Sequence, residues 1–591
     1  MFILLHNNSE SYSPTNPLYK STLYALISIP PLILFYLLYI YGVNFPYGWD
    51  DYAVMKVIIN IENATLLDKL KLFFSPHGEH IIAYVHFITW LTYEVTGHVN
   101  FKLMMVIGNL GLVIWAMQHI YIIVHRTKNI IYALPITFLI FQLQLNRNFF
   151  WGLGALANHG ILAWISLCIY FASTANNRLR FILFIIFGIL ASFTGSGGLP
   201  AFVIGILILI YKRNYWNASL ASILFLGCIL IYIRNYQIVF WDHPERQYFS
   251  NLLGQSLSFF VVLGNIFDMA TYYDNLRMVI CGIVIFVLFL FLIVEIFYIK
   301  NLKFESELER NTKKLPFSIT QPNGEIIIFY VGCILYSFTV AVILALARFH
   351  FYNSTDDVFG VPILLANYHF LSIMILLSLY GILLIILPKV GKVCAIFTFF
   401  VGAIFINLFS LPKLLTIIYT NSAQATIDYN NTFQNNYPGK GWYYFATKNV
   451  MGAANESNYY AVPNNIKHSG EVVVKSNKVL PVDTIYHYQD QMVAHFSHTY
   501  LNFFEPQNKI IAEIYSEKSK IHLCVSPNIA SKKYMLRGIF SKEGIYVIIP
   551  NELLYTNQIY RLRLIEYKQN KQYLYDTDAQ IDLKGKRIGQ Q

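Results

Sequence analysis

Two adjacent carboxylates, Asp50 and Asp51, are followed after an amphipathic stretch by Ser75-Pro76-His77-Gly78-Glu79-His80. An acidic pair can take a proton from an attacking hydroxyl, or hold a divalent cation such as Mg2+ or Mn2+ that neutralises a phosphate leaving group. His77 and His80 add imidazoles that can bind phosphate or share such an ion, and Glu79 stands between them. The His-x-Glu-His spacing departs from His-Glu-x-x-His, which argues against zinc-protease chemistry. Both groups also have plainer roles. One aspartate can cap the helix that begins near Tyr52, and Pro76 with Glu79 can open another helix. A cap accounts for one carboxylate and leaves the other for chemistry.

The elements that position these residues are membrane spans. Of the 591 residues 56% are hydrophobic and 13% charged, against about 25% charged in soluble domains. With a mean hydropathy of +0.47, the chain reads as a multi-pass membrane protein. Its net charge of +11 would suit a nucleic-acid partner. The basic residues, however, fall in short clusters between apolar runs, which is the positive-inside pattern, and nucleic acid is excluded. The six cysteines are scattered, five of them in apolar runs, with no disulfide framework or zinc spacing.

Residues 1–19 read as a cytoplasmic tail and 20–43 as an uncleaved signal anchor. An outer loop, 44–100, carries the acidic pair, an interfacial helix pair over 52–74 and a stretch, 81–97, that lies in or re-enters the outer face. Spans follow at 101–124, 130–145, 158–174, 181–195, 199–211, 217–234, 277–299, 326–347, 369–388 and 393–411. Residues 252–271 form an outer-face helix. The fold class is thus an α-helical polytopic membrane protein of about 11 spans with the N-terminus inside. The transmembrane domain, 20–411, leads through a connecting segment, 412–470, to a β-rich, sandwich-like domain over 471–591 on the outer side.

Further candidates lie in the outer loops. Arg147, Trp151 and His159 belong to the second, where an aromatic face can stack on a sugar ring and a guanidinium can pair with phosphate; an interfacial aromatic belt is the plainer alternative. Arg348 and Tyr368, with His350 and His369 nearby, flank a late outer loop. A positive charge on that side runs against the positive-inside bias, so Arg348 is a candidate phosphate ligand or else a snorkelling side chain. The Thr194–Gly198 turn reads as a tight hairpin between two spans, since it lacks the lysine of a phosphate loop.

Asp50, Asp51 and Tyr52, the interfacial helices after them, and the Ser75-Pro76-His77 entry to the next helix resemble the GT-C class of membrane glycosyltransferases, which includes the aminoarabinose and protein-mannosyl transferases. The chain is also similar to bacterial multi-pass proteins with a His-rich motif before the second span and a Trp-Gly motif, here Trp151-Gly152, in the second outer loop. The GT-C class often has an acidic residue in that loop, where this chain has Arg147 and His159.

The resemblance implies a sugar donor carried on polyprenyl phosphate, and an envelope glycan, lipid or protein as acceptor. Together with the loop residues read above, the expectation is a bacterial inner membrane enzyme with Asp50, Asp51 and Glu79 as catalytic candidates, Asp50 and Asp51 as candidate metal ligands, and Tyr52, His77, His80, Arg147, Trp151, His159, Arg348 and Tyr368 around the substrates. An O-antigen polymerase or ligase would use outer-face Arg and His in a large loop between late spans. A transporter or flippase would need charge at mid-span. A scaffold presenting the β-rich domain would need no acidic pair.

Overall fold

The computed structural model describes residues 17–46, 48–61, 64–77, 80–235, 252–268, 275–308, 322–348 and 368–431 of the helical part. Towards the C-terminus it describes 450, 453–454, 456–460, 462–463, 472–477, 479–488, 491–496, 509–517, 519–527, 545–550, 554, 558–568 and 571–581.

Helix α1 (Pro17–Tyr41) is followed by α2 (Gly48–Ile61), α3 (Leu66–Phe73), a two-strand hairpin of β1 (Pro76–His77) and β2 (His80–Ile81), and α4 (Ala83–Thr96). The expected interfacial pair is therefore α2 and α3. α2 buries a stripe of Asp51, Tyr52, Val54, Met55, Ile58 and Ile61. α3 buries none of its residues and exposes Leu66, Leu67 and Leu70. Thr65 caps it by accepting from the Asp68 amide. α4 has 14 residues, about 21 Å of helix, too short to cross a bilayer.

The bundle continues with α5 (Phe101–Thr127), α6 (Leu134–Ile140), α7 (Asn146–Phe149), α8 (Gly152–Gly154) and α9 (Ile161–Ser173). It goes on through α10 (Arg178–Thr194), α11 (Leu199–Tyr211), α12 (Tyr215–Asn235), α13 (Leu252–Gly264), α14 (Asn275–Leu308), α15 (Pro322–Arg348), α16 (His369–Ile386) and α17 (Lys389–Tyr429). Among the described residues nine helices are long and apolar enough to cross a membrane. Ser196–Tyr211 and Leu252–Phe267 are shorter apolar helices.

A continuous core joins these helices. Trp115, Phe184, Phe202, Tyr330, Tyr336 and Tyr380 are among its fully buried side chains. Gly108 and Gly111 of α5 let it approach the π-turn Ala155–Gly160, because a Cβ on Gly108 would stand 2.3 Å from the Ala155 carbonyl carbon.

Two expectations need correction. Of the outer-face helix expected over 252–271, the described part, 252–268, is not a separate surface element. α13 stands antiparallel against α14, with Gly264 against Met278 and Gly282 against Phe260. Close backbone contact at two glycines, with Gln255 and Ser258 buried, makes α13 part of the bundle. Nor does the helical part stop at Pro412. α17 runs for 41 residues, about 60 Å, into what was expected to be connecting segment.

Among the described residues the β-rich part is one sheet, where a sandwich was expected. Strands β3 (Val472–Lys475), β4 (Thr484–Tyr488), β5 (Gln491–Phe496), β6 (Lys509–Tyr515), β7 (Lys520–Pro527), β8 (Ile545–Pro550), β9 (Tyr560–Lys568) and β10 (Lys571–Ile581) form a curled half-barrel in the order β3-β10-β9-β6-β7-β8-β5-β4. Among the described strands β3 and β10 pair in parallel, with a parallel bridge from Leu480 to Thr577, and the other pairs are antiparallel. Alternation explains the architecture. Ile510, Ala512 and Ile514 of β6, with Leu562 and Leu564 of β9, face the core of the half-barrel. Ile511, Ile565 and Tyr567 face the other way, onto Ala423 and Ile427 of α17. The second layer is thus a helix. Asn431 locks it, donating to the His522 carbonyl at 2.9 Å and accepting from the His522 amide at 2.8 Å.

Candidate functional site

The α2 helix and the β1–β2 hairpin bring Asp50 and His77 together. Asp50 sits in the first turn of α2, where the positive end of the helix dipole favours a carboxylate. His77 Nε2 lies 3.0 Å from Asp50 Oδ1. The Asp50 side chain is 41% exposed and that of His77 11%, so the pair is anchored on one side and open on the other.

Asp51 behaves differently. Neighbouring helix residues point about 100° apart, and Asp51 is fully buried. Its Oδ1 accepts from the Leu153 amide at 3.0 Å, tying α2 to α8 in the expected second outer loop. The two aspartates thus lie in different surroundings, Asp50 part-exposed beside His77 and Asp51 buried against Leu153. Among the described residues no three His, Cys, Asp or Glu side chains come together. Tyr52 is buried beside Asp51. Glu79 lies outside the described residues.

His80 pairs with His77 across the hairpin and reaches the Thr194–Gly198 turn, its Nδ1 2.7 Å from Ser196 Oγ. Tyr336 holds the same turn by donating to the Gly197 carbonyl at 2.9 Å. Tyr232 donates to the Ser192 carbonyl at 2.6 Å. The hairpin, the turn and the second outer segment thus share one end of the bundle, the hairpin end. His86, on α4 beneath the hairpin, has Nδ1 2.9 Å from the Phe73 carbonyl. Burial pushes its pKa down to about 4, against the contrary effect of that hydrogen bond, so it stays neutral.

The second outer segment is more buried than a loop. Trp151 is 7% exposed, and its ring fills the space a Cβ on Gly154 would need. His159 is fully buried in the π-turn, a feature frequent at functional sites. Its Nδ1 lies 2.8 Å from Asn109 Oδ1. Asn109 spends both amide hydrogens on the Met105 and Phe149 carbonyls, so its oxygen accepts and His159 Nδ1 carries the proton. His159 Nε2 is then a buried lone pair with no partner among the described residues. Arg147 is half-buried on α7, its Nε also without a partner there.

Tyr368 caps α16 and packs against Phe370. The Arg348 side chain lies outside the described residues, as does His350.

Sequence reasoning missed a polar seam beside this group. Gln142, Gln144, Asn146, Asn265, Asp268 and His369 are all buried. Gln144 Nε2 donates to the Asp268 carbonyl at 3.3 Å, and Asp268 Oδ2 stands 3.7 Å from His369 Nε2. Both side-chain polar atoms of Gln142 lack a protein partner among the described residues, as does Gln144 Oε1. Buried polar atoms in such numbers imply water or a polar ligand between the elements. The alternation Gln142-x-Gln144-x-Asn146 was the available signal.

Asp428 was also missed, since α17 was expected to end before it. It lines a small cleft of about 20 Å³ with Tyr41, Phe45, Pro46, Phe150 and Gln424. Burial pushes its pKa up to about 6, with the Gln424 hydrogen bond acting against the rise. Comparison with family models, with curated proteins and with solved structures finds no match to this chain.

Proposed function

We propose that the protein is a membrane glycosyltransferase that moves a sugar from a polyprenyl-phosphate donor to an envelope glycan, lipid or protein acceptor at the hairpin end of the bundle. The observation that carries the reading is the Asp50–His77 pair, half-open and 3.0 Å apart at the start of a helix. The acceptor hydroxyl oxygen attacks C1 of the sugar, and the C1–oxygen bond to phosphate breaks. Asp50 takes the hydroxyl proton, and polyprenyl phosphate leaves with the bonding pair. His77 orients Asp50 by donating from Nε2 and supports its charged form. Asp51 is a positioning residue that fixes α2 against Leu153.

Arg147, with its partly buried guanidinium, is the phosphate ligand that stabilises the charge developing on the leaving group; Arg348 is the second candidate. About 11 spans follow if α10 and α11 cross as a hairpin, which the His80–Ser196 contact supports. The hairpin end then faces away from the cytoplasm of a bacterial inner membrane, by the basic clusters at the other end. The half-barrel holds the acceptor.

The test is the mass of envelope glycans from cells lacking the gene and from cells carrying Asp50→Asn at normal protein level. A glycan lighter by one sugar in both strains supports the reading and names the sugar. A change confined to the deletion moves the chemistry away from Asp50.

A further inference from the structure

At the end of the bundle opposite the hairpin, α5, α15, α16 and α17 enclose a cavity of about 130 Å³. Arg126 and Lys392 stand at its mouth with Thr127, and its walls are aliphatic, including Ile122, Ile326 and Leu384. It lies roughly 35 Å from the Asp51 end, by the helical rise along α5 from Phe101 to Arg126.

Its inner end is Tyr330, fully buried, whose hydroxyl has no hydrogen-bond partner among the described residues. Behind Tyr330, at 5.7 Å between ring centroids, His119 is also buried, with neither ring nitrogen partnered there. Gly381 leaves room for the Tyr330 ring, since a Cβ there would stand 2.2 Å from it. A buried hydroxyl without a partner is costly, and Tyr330 lines the same cavity as Arg126 and Lys392.

We infer that this cavity binds a phosphate ester anion, with Arg126 and Lys392 on the phosphate oxygens and Tyr330 donating a hydrogen bond from below. Two of the helices that line the cavity, α5 and α17, also expose Met117, Tyr121, Val390 and Phe397, so the ester is the headgroup of an anionic lipid, its chains outside the cavity. This site is independent of the transfer chemistry, having no residue in common with it.

The experiment uses the full chain in phosphatidylcholine nanodiscs, with phosphatidylglycerol or inorganic phosphate as probe and thermal unfolding as readout. Phosphatidylglycerol is expected to stabilise the wild type. Arg126→Gln, Lys392→Gln and Tyr330→Phe each weaken its apparent affinity about tenfold, the loss of one charge-assisted or buried hydrogen bond. Lys389→Gln, on the same face but outside the cavity, leaves it unchanged. Inorganic phosphate that matches the lipid, with the same variant pattern, supports the anion site and assigns it a soluble ligand. Equal weakening by Lys389→Gln, or none by the lining variants, overturns the inference. Tyr330→Phe removes one oxygen and keeps the ring, so a folding defect there would show as a lower unfolding temperature without lipid.

Discussion

Asp51 accepts a hydrogen bond from the Leu153 amide at 3.0 Å, across 102 residues of chain, with its side chain fully buried. One member of the acidic pair is thus committed to structure, while its neighbour Asp50 faces His77. Removing the acceptor leaves a buried N–H without a partner, so Asp51→Ala lowers stability by about 1–3 kcal/mol. Asp51→Asn keeps an acceptor oxygen and loses less. Thermal unfolding in detergent separates the two, and equal unfolding of wild type and Asp51→Ala would count against the role.

The joint between α17 and the half-barrel holds a second carboxylate in the opposite electrostatic state to Asp428. Burial alone would raise the Glu513 pKa, but the His522 hydrogen bond at 3.0 Å and the charges of His522 and Arg563 outweigh it and hold it below the usual value. Such a group stabilises the fold above its unfolded pKa, and that stability is lost as pH falls through the folded value. Glu513→Gln is therefore less stable than wild type at neutral pH, and the gap closes in acid. A gap that persists unchanged at acid pH would contradict the pairing.

Asp428 gives the reverse sign. Its folded pKa of about 6 lies above the unfolded 3.8. Its contribution is full below the unfolded value and lost as pH rises through 6. The difference of roughly two units corresponds to about 3 kcal/mol. Asp428→Asn is accordingly more stable than wild type above that pH and no more stable in acid, as unfolding temperatures across a pH series would report.

Packing at the π-turn leaves no room beside α5. A methyl on Gly108 would meet backbone rather than a flexible side chain. Gly108→Ala costs about 3 kcal/mol and shifts His159 from Asn109. Folding yield and tryptophan fluorescence from Trp151 and its neighbours check this, and a variant that folds as wild type would contradict the close contact.

Much of the helical part was legible because span-length apolar runs and the clustering of Lys and Arg are coarse signals that survive without neighbours. The two short helices α2 and α3 could be read from mixed polarity, whereas the 14-residue length of α4 was not evident in a 17-residue apolar stretch. The local sequence could not separate Asp50 from Asp51, since identical side chains 100° apart on a helix differ only in what packs against them. Pro412 suggested a boundary that α17 passes through, because the half-barrel covers the helix beyond it. The strands were evident from alternation, but alternation says only that two faces differ and not that α17 covers one of them. The seam around Gln144 and Asp268 joins segments far apart in sequence, and no spacing rule connects them.

The most direct test of Asp50 as the base is release of polyprenyl phosphate by the reconstituted protein. Wild type, Asp50→Asn and His77→Gln would be placed in liposomes made with lipid extract from the source cells, which supplies both donor and acceptor, and polyprenyl phosphate measured by mass spectrometry. The account predicts a fall of about 10²–10⁴ in initial rate for Asp50→Asn, a smaller fall for His77→Gln, and unfolding temperatures near wild type. Release by Asp50→Asn at the wild-type rate would contradict it.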